Sequence, residues 1–118
     1  EGTMVYAGFA ADPSNASPQA KEFIKKYQAA NDNKLPDMFS AQGYDAVMLL
    51  AKAMKEANST DPSKFKDVLA KTKDFPGVSG TLTFRIDRKP VKSPVYLLEV
   101  KNQEFVLKKA IPVEAPQS

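Results

Sequence analysis

Hydrophobic residues recur at helical spacing behind the first polar loop of the chain. Ser17-Pro18 is a typical helix start, because serine accepts a bond from a free backbone N–H and proline suits the first helical position. The apolar residues that follow share one helical face: Ala20, Phe23, Ile24 and Tyr27. The pattern fades at Asn31-Asp32-Asn33, so it predicts an amphipathic surface helix that ends there.

The most hydrophobic segment, residues 44–54, predicts a second helix that begins at Ser40 or Ala41. Polar residues interrupt it on a narrow stripe: Asp45, Lys52, Lys55 and Glu56. A helix that is apolar around most of its circumference is typically buried, so we expect this helix to be central and largely buried. Asp61-Pro62 repeats the start signal and predicts a third, shorter helix that ends before Phe75.

Strand patterns occupy both ends of the chain. Residues 3–10 form a short run rich in β-forming side chains that ends in a polar loop, which predicts a first strand. From Val78 onward the period changes to two, the period of a half-buried strand. The apolar members of this alternation are Leu82, Phe84 and Ile86.

A hairpin is predicted near the C-terminal end of the sequence. A turn at residues 87–90 precedes two strand-like runs, 95–100 and 105–110, which are joined by four polar residues. Residues 111–118 contain two prolines and predict an extended or frayed tail. The resulting order β-α-α-α-β-β-β is typical of an α/β-type or α+β domain.

Composition and charge narrow the classes of function. The 118 residues suffice for one modest domain. The net charge of +3 is spread along the chain, with lysines alternating with acids, which argues against nucleic acid as a partner. The longest apolar stretch, residues 46–51, is far too short to span a bilayer.

The sequence contains few of the residue types that catalytic and metal sites need. The chain has neither Cys nor His, which excludes cysteine nucleophiles, catalytic triads and Cys/His zinc sites within it. The acidic residues show no spacing typical of a catalytic pair or a metal loop. We therefore expect no enzyme, no cofactor and no metal site in this chain.

Three ordered segments of the chain resemble a known family. The first is Phe23-(x3)-Tyr27 followed by Leu35-Pro36. The second is Gly43-Tyr44-Asp45-Ala46-Val47, which continues as Leu49-Leu50-Ala51-Lys52-Ala53. The third is Phe75-(x)-Gly77-(x2)-Gly80-Thr81-Leu82-Thr83-Phe84-(x2)-Asp87, which is followed by Tyr96-(x3)-Val100 and Glu104-Phe105. In this order and at these distances they resemble the C-terminal region of the type I periplasmic binding proteins, the leucine/isoleucine/valine-binding family. The resemblance covers the chain from Glu1 to about Ala110.

The resemblance implies an α/β fold with two lobes of three layers (α/β/α), joined by three hinge crossings and closing on a small ligand. Residues 1–77 would hold the second crossing and three helices of one lobe. Residues 78–110 would hold the third crossing, at 78–84, and a C-terminal hairpin that returns to the other lobe, with 111–118 as a tail. This chain would then be a C-terminal fragment, without the main ligand clamp.

The function implied by the resemblance is that of the solute-binding component of an ABC importer. Such a protein captures a branched-chain or related amino acid, or a similar small carboxylate, in the periplasm or another extracytoplasmic space, and delivers it to a membrane permease. The fragment alone is expected not to bind and to be dimeric or strand-exchanged. The alternative is a ligand-sensing or protein-interaction module that uses the same lobe fold without transport.

Four residues are candidate ligand contacts. Phe9 and Ala10 lie at the implied second crossing, whereas Gln42 and Tyr44 lie where the second helix is expected to begin, at an end that offers N–H groups to anions. A buried strand end explains Phe9 and Ala10 equally simply, and a core position explains Tyr44. Asp45 is either a ligand carboxylate or an acid that favours the helix dipole.

Three glycines are candidate hinge points. Gly8 lies at the implied second crossing, and Gly77 and Gly80 flank the third. A turn and a bulge explain Gly77 and Gly80 nearly as well. Arg88-Lys89-Pro90 departs from the family, which often has a glycine in this turn, so the geometry of the turn is the feature placed in doubt.

Overall fold

The computed structural model describes residues 1–114, which form three helices and six strands. In chain order these are β1 (Met4–Ala7), α1 (Pro18–Ala30), α2 (Met38–Glu56), α3 (Pro62–Ala70), β2 (Phe75–Gly77), β3 (Gly80–Phe84), β4 (Pro90–Ser93), β5 (Val95–Lys101) and β6 (Glu104–Ile111). The helices and the three longer C-terminal strands follow the predicted order. The short strands β2 and β4 were not predicted, because their three or four residues include proline and show no alternation of apolar and polar side chains.

The strands of residues 1–114 form two antiparallel sheets. The hairpin sheet has the order β1-β5-β6, and the short sheet has the order β2-β3-β4. In the hairpin sheet Met4 lies opposite Glu99 and Lys101 lies opposite Glu104, so the predicted C-terminal hairpin is confirmed. β5 is the central strand of this sheet.

The three helices begin where a side chain caps their free N–H groups. Ser17 accepts a bond from the Ala20 N–H at 3.2 Å, and Asp61 accepts one from the Ser63 N–H at 2.9 Å. The cap of α2 is Asp37, whose carboxylate accepts the Ser40 N–H at 2.7 Å. The bond from the Ser40 N–H is the main cause of the lowered pKa of Asp37. The helix begins at Met38, so the predicted start at Ser40 or Ala41 was wrong by two or three residues.

The helices, together with the short sheet, form what we call the helical part. Its core is a cluster of six buried residues: Phe9, Ala20, Phe23, Ile24, Ala41 and Val78. Phe9 reaches this core from the segment after β1, and its ring meets that of Phe23 edge to face with centroids 6.0 Å apart. β1 ends at Ala7, so residues 8–10 leave the hairpin sheet earlier than predicted and enter the helical core.

The expectation that α2 is buried around most of its circumference was wrong for this chain. Its buried residues form a single stripe: Ala41, Asp45, Leu49 and Ala53. The apolar side chains on the other side are exposed, and Val47 keeps 67% of its surface. The reason is that within residues 1–114 only one face of α2 is covered. Asp45 was placed on a polar stripe by the sequence but lies on the covered face.

The turn after β3 keeps the backbone conformation that favours glycine. Arg88 has a φ of +65°, in the left-handed region that side chains with a Cβ adopt at a cost. Its N–H donates to the Arg85 carbonyl at 3.0 Å, and Lys89 donates to the Asp87 carboxylate at 3.2 Å. Arginine therefore adopts at this position a backbone conformation that glycine adopts more readily. None of the helices described here is long and apolar enough to cross a membrane.

Candidate functional site

The chain passes between the helical part and the hairpin sheet at two places, which we call the junction (residues 8–10 and 93–94). The first passage leaves β1 at Gly8, and the second leads from Ser93, at the end of β4, into β5. Residues 80–84, which belong to the expected third crossing at 78–84, form β3 of the short sheet. The place of the third crossing stays a prediction.

Gly8 is held from two sides at the junction. Its N–H donates to the sulfur of Met38 at 3.2 Å, and its carbonyl accepts a bond from the Lys92 ammonium at 2.7 Å. A Cβ on Gly8 would lie 2.9 Å from Lys92 Nζ and 3.0 Å from Gln42 Nε2. The side-chain ends of α2 and β4 converge on this backbone and would have to shift to admit a Cβ.

Gly80 is required on the other side of the junction. Its φ is +132°, and an added Cβ would lie 2.6 Å from the Ser93 carbonyl oxygen. The backbone of β3 thus passes close to the residue at which the chain changes sheets. Ser93 also accepts a bond from the Val113 N–H at 3.0 Å, which ties the end of β4 to the segment after β6.

Three ionisable groups lie in or beside the junction. Burial lowers the pKa of the Lys92 ammonium, and the negative charge of Asp45 partly opposes this shift. Burial also raises the pKa of the Tyr96 phenol, and the charge of Asp45 adds to the effect. Because the charge of Asp45 acts on both groups, α2, β4 and β5 share one electrostatic environment at the junction.

Asp45 is a buried structural acceptor in this environment. Its side chain is 6% exposed, and its carboxylate accepts the N–H groups of Val78 at 2.7 Å and Ser79 at 3.0 Å, together with the Ser79 hydroxyl. A Cβ on Gly77 would lie 2.5 Å from the Asp45 carboxylate. Asp45 therefore fastens α2 to the link between β2 and β3, a role that neither sequence-based interpretation of this residue included.

The structure brings together some of the predicted ligand contacts. Phe9 and Ala10 are buried in the helical core, and Gln42 is exposed with its amide beside Gly8. Tyr44 is 42% exposed and packs on Phe23 with ring centroids 5.0 Å apart. Since α2 begins at Met38, Gln42 and Tyr44 belong to its second turn and do not supply N-terminal N–H groups. A ligand role for the four residues remains a prediction.

The predicted hinge glycines have different surroundings. Gly8 and Gly80 both lie at the junction, whereas Gly77 lies against Asp45. An added Cβ would meet backbone atoms at Gly80, the buried Asp45 carboxylate at Gly77 and only side-chain ends at Gly8. Their part in a hinge motion also remains a prediction.

Several residues of the site were missed by sequence reasoning. Lys92 and Gly8 are 84 positions apart, and Asp45 is 34 positions from Ser79. No local period or motif links residues at such distances, so the sequence contained no signal for these bonds.

Phe39 is a further residue that sequence reasoning did not single out. It lies in the first turn of α2, is 71% exposed and shares a helix face with Gln42.

A groove of about 740 Å³ runs between α1 and α2. Aromatic and apolar side chains form its floor, among them Phe23, Tyr44 and Met48, and the lysines Lys26, Lys52 and Lys55 lie along it. Lys26 and Lys52 are paired with acids four residues away on their own helices. In residues 1–114 no group of acidic side chains is arranged to hold a metal ion.

A family model described as periplasmic binding protein matches residues 1–104 of the chain. Among curated proteins, the Leu/Ile/Val-binding protein homolog 1 of Brucella suis biovar 1 is 33% identical over 98 residues, which are 83% of this chain and 25% of that protein. The match therefore spans most of this chain.

Solved structures of similar proteins share the fold. The leucine-binding protein LivK from Thermotoga maritima has a TM-score of 0.79 and 32% identity, covering 95% of this chain and 31% of its own. A second structure is LivJ, a branched-chain amino acid transporter substrate-binding protein from Streptococcus pneumoniae solved with isoleucine. It has a TM-score of 0.76 and 35% identity, and the match covers 93% of this chain and 30% of LivJ. A third is a solute-binding protein of an ABC transporter from R. palustris, solved with benzoate. It has a TM-score of 0.79 and 26% identity, and the match covers 99% of this chain and 32% of that protein. The chain thus spans a third or less of the length of each relative.

Proposed function

This chain belongs to the periplasmic binding protein family, and we propose that it is the C-terminal part of the solute-binding component of an ABC importer. The complete protein would capture its ligand outside the cytoplasm and deliver it to a membrane permease. The α/β fold supports this proposal, because it matches proteins of that kind over nearly the whole chain.

The observation that carries the proposal is the division of the chain at the junction. Residues 1–114 form a helical part and a hairpin sheet that are linked by two passages, and the bond from Lys92 to Gly8 joins these passages. Two rigid bodies joined by narrow passages are the arrangement required for hinge closure. A ligand that binds better to the closed form would shift the equilibrium towards that form.

The proposed ligand class is a small carboxylate with an apolar body. Two of the similar structures described above were solved with isoleucine and benzoate, and a third, an ABC transporter substrate-binding protein from Desulfitobacterium hafniense, was solved with leucine. These three molecules share a carboxylate on a hydrophobic group. Gln42 is the best placed of the four predicted contacts, because its exposed amide lies at the junction. Phe9 and Ala10 support the backbone next to it from the core.

Calorimetry on the full-length protein that carries this chain tests the proposal. Leucine, isoleucine and benzoate are titrated, together with leucinamide, which lacks the carboxylate. We expect at least one carboxylate to bind and leucinamide to bind at least tenfold more weakly, since a site built around an anion leaves its donors unpaired with the amide.

The variant Gln42→Ala is expected to weaken binding of the preferred carboxylate, whereas Gln19→Ala, an exposed glutamine on α1, serves as the matched control. Failure of all three carboxylates, and of a panel of other amino acids, to bind would contradict the proposal. If the protein binds its ligand but cells that express it together with a permease encoded beside it do not take the ligand up, the alternative function of a ligand-sensing or protein-interaction module would be favoured over import.

A further inference from the structure

The two passages at the junction are joined by one charged hydrogen bond. Lys92 belongs to β4, in the helical part, and Gly8 follows β1 of the hairpin sheet. The 2.7 Å bond from the Lys92 ammonium to the Gly8 carbonyl therefore links the starts of the two passages. Because Met38 of α2 receives the Gly8 N–H, the peptide groups on both sides of Gly8 are bonded to the helical part.

The placement of an ammonium group at this point has an energetic cost. Lys92 is half-buried, and burial disfavours its charged form. One charged group of another element acts on it: the carboxylate of Asp45 on α2 opposes the effect of burial on the pKa of Lys92. An apolar side chain could fill the same volume without that cost, so packing alone does not account for a lysine.

We propose that Lys92 is a positioning residue that couples the two passages, so that they bend together as one hinge. This inference rests on the proposed function, because it presupposes two lobes that open and close. With both peptide groups of Gly8 fixed to the helical part, rotation of the hairpin sheet is confined to the backbone dihedrals of Ala7 and those of Ser93 and Pro94. Loss of the bond lets the first passage move independently and widens the range of open conformations.

Interlobe distances in the full-length protein test the coupling. Spin labels are attached at Lys64→Cys on α3 and Lys109→Cys on β6, two exposed positions on opposite sides of the junction. Ligand-free Lys92→Met is expected to show a broader distance distribution than the parent protein. Its ligand affinity is expected to be roughly tenfold weaker, because a broader ensemble lowers the fraction of molecules competent to close by about that factor. The mean distance with saturating ligand should remain unchanged.

Three further variants keep the test decisive. Lys92→Arg retains the charge and donors, so its distribution should stay narrow and its affinity within about threefold of the parent protein. Lys92→Gln is expected to broaden the distribution as Met does, which covers the case in which Lys92→Met folds poorly. Lys89→Met, at an exposed lysine in the preceding turn, should change neither property.

The outcomes separate the two proposals. If the parent protein shows no ligand-dependent shortening of the distance, the proposed function itself fails. If it shortens normally while Lys92→Met and Lys92→Gln keep its narrow distribution and its affinity, the proposed function stands and the coupling role of Lys92 is overturned.

Discussion

At the scale of single residues, the buried carboxylate of Asp45 shows how one side chain can stabilise a link between distant segments. It accepts two backbone N–H groups and a hydroxyl from residues 78 and 79, which are themselves buried. Buried N–H groups that lose their acceptor cost about 1–3 kcal/mol each. The same carboxylate occupies the space that a side chain at Gly77 would need.

Asp45→Ala is expected to lower the free energy of unfolding by about 2–4 kcal/mol, because two buried N–H groups lose their acceptor. Gly77→Ala is expected to cost about 1–3 kcal/mol by overpacking, and much less in the Asp45→Ala background, where its colliding atoms are gone. Urea denaturation of the two single variants and the double variant measures this coupling. Asp67→Ala, at an exposed site on α3, is the control and should change little. Additive costs in the double variant would contradict the steric interpretation.

At the scale of elements, the β5–β6 hairpin has a turn that its sequence does not favour. Asn102 and Gln103 have φ values of +51° and +65°, so both central residues adopt the left-handed conformation of a type I′ turn. Asparagine tolerates this conformation, but glutamine is strained in it. The alternation of the flanking strands therefore determines the hairpin, although the turn strains the backbone of Gln103.

Gln103→Gly is expected to raise the free energy of unfolding by about 0.5–1 kcal/mol, because glycine removes the steric strain at positive φ while adding some entropy to the unfolded chain. Gln103→Ala is the matched control: it removes the same side chain but keeps the Cβ, so no gain is expected. Thermal unfolding followed by circular dichroism compares the two. An equal gain in both variants would show that the side chain, and not the backbone conformation, causes the effect.

The same contrast between pattern and context determines how far the elements could be predicted. The helices and the hairpin followed from apolar periods and cap residues such as Ser17 and Asp61, which act within a few positions. The orientation of α2 could not be predicted, because a helix that is apolar on most sides has no face marked for burial. The orientation of α2 is determined by the bonds of Asp45 to the β2–β3 link, 33 positions further along the chain. The junction is determined by the bond of Lys92 to Gly8, which are 84 positions apart.

At the scale of the whole molecule, a large part of the apolar surface is left open in residues 1–114. The exposed side of α2 includes Tyr44, Val47 and Met48, and the edge strand β1 exposes Met4 and Tyr6. Contiguous apolar patches and open strand edges are typical of surfaces that pair with other chains. Since the chain spans a third or less of its relatives, we propose that the rest of the complete protein covers these surfaces.

The isolated 118-residue chain is therefore expected to self-associate, with or without strand exchange at β1, and not to bind leucine. Light scattering coupled to gel filtration should give a mass above that of the 12.9 kDa monomer, and one that rises with concentration. Val47→Lys places a charge on the exposed side of α2 and is expected to weaken association at least tenfold, because burying an unpaired charge in an apolar contact is costly. Ala29→Lys adds the same charge at an exposed site on α1 and should leave the mass unchanged. A monomer at all concentrations that binds leucine in calorimetry would show that the open faces need no partner and that the chain holds a complete site.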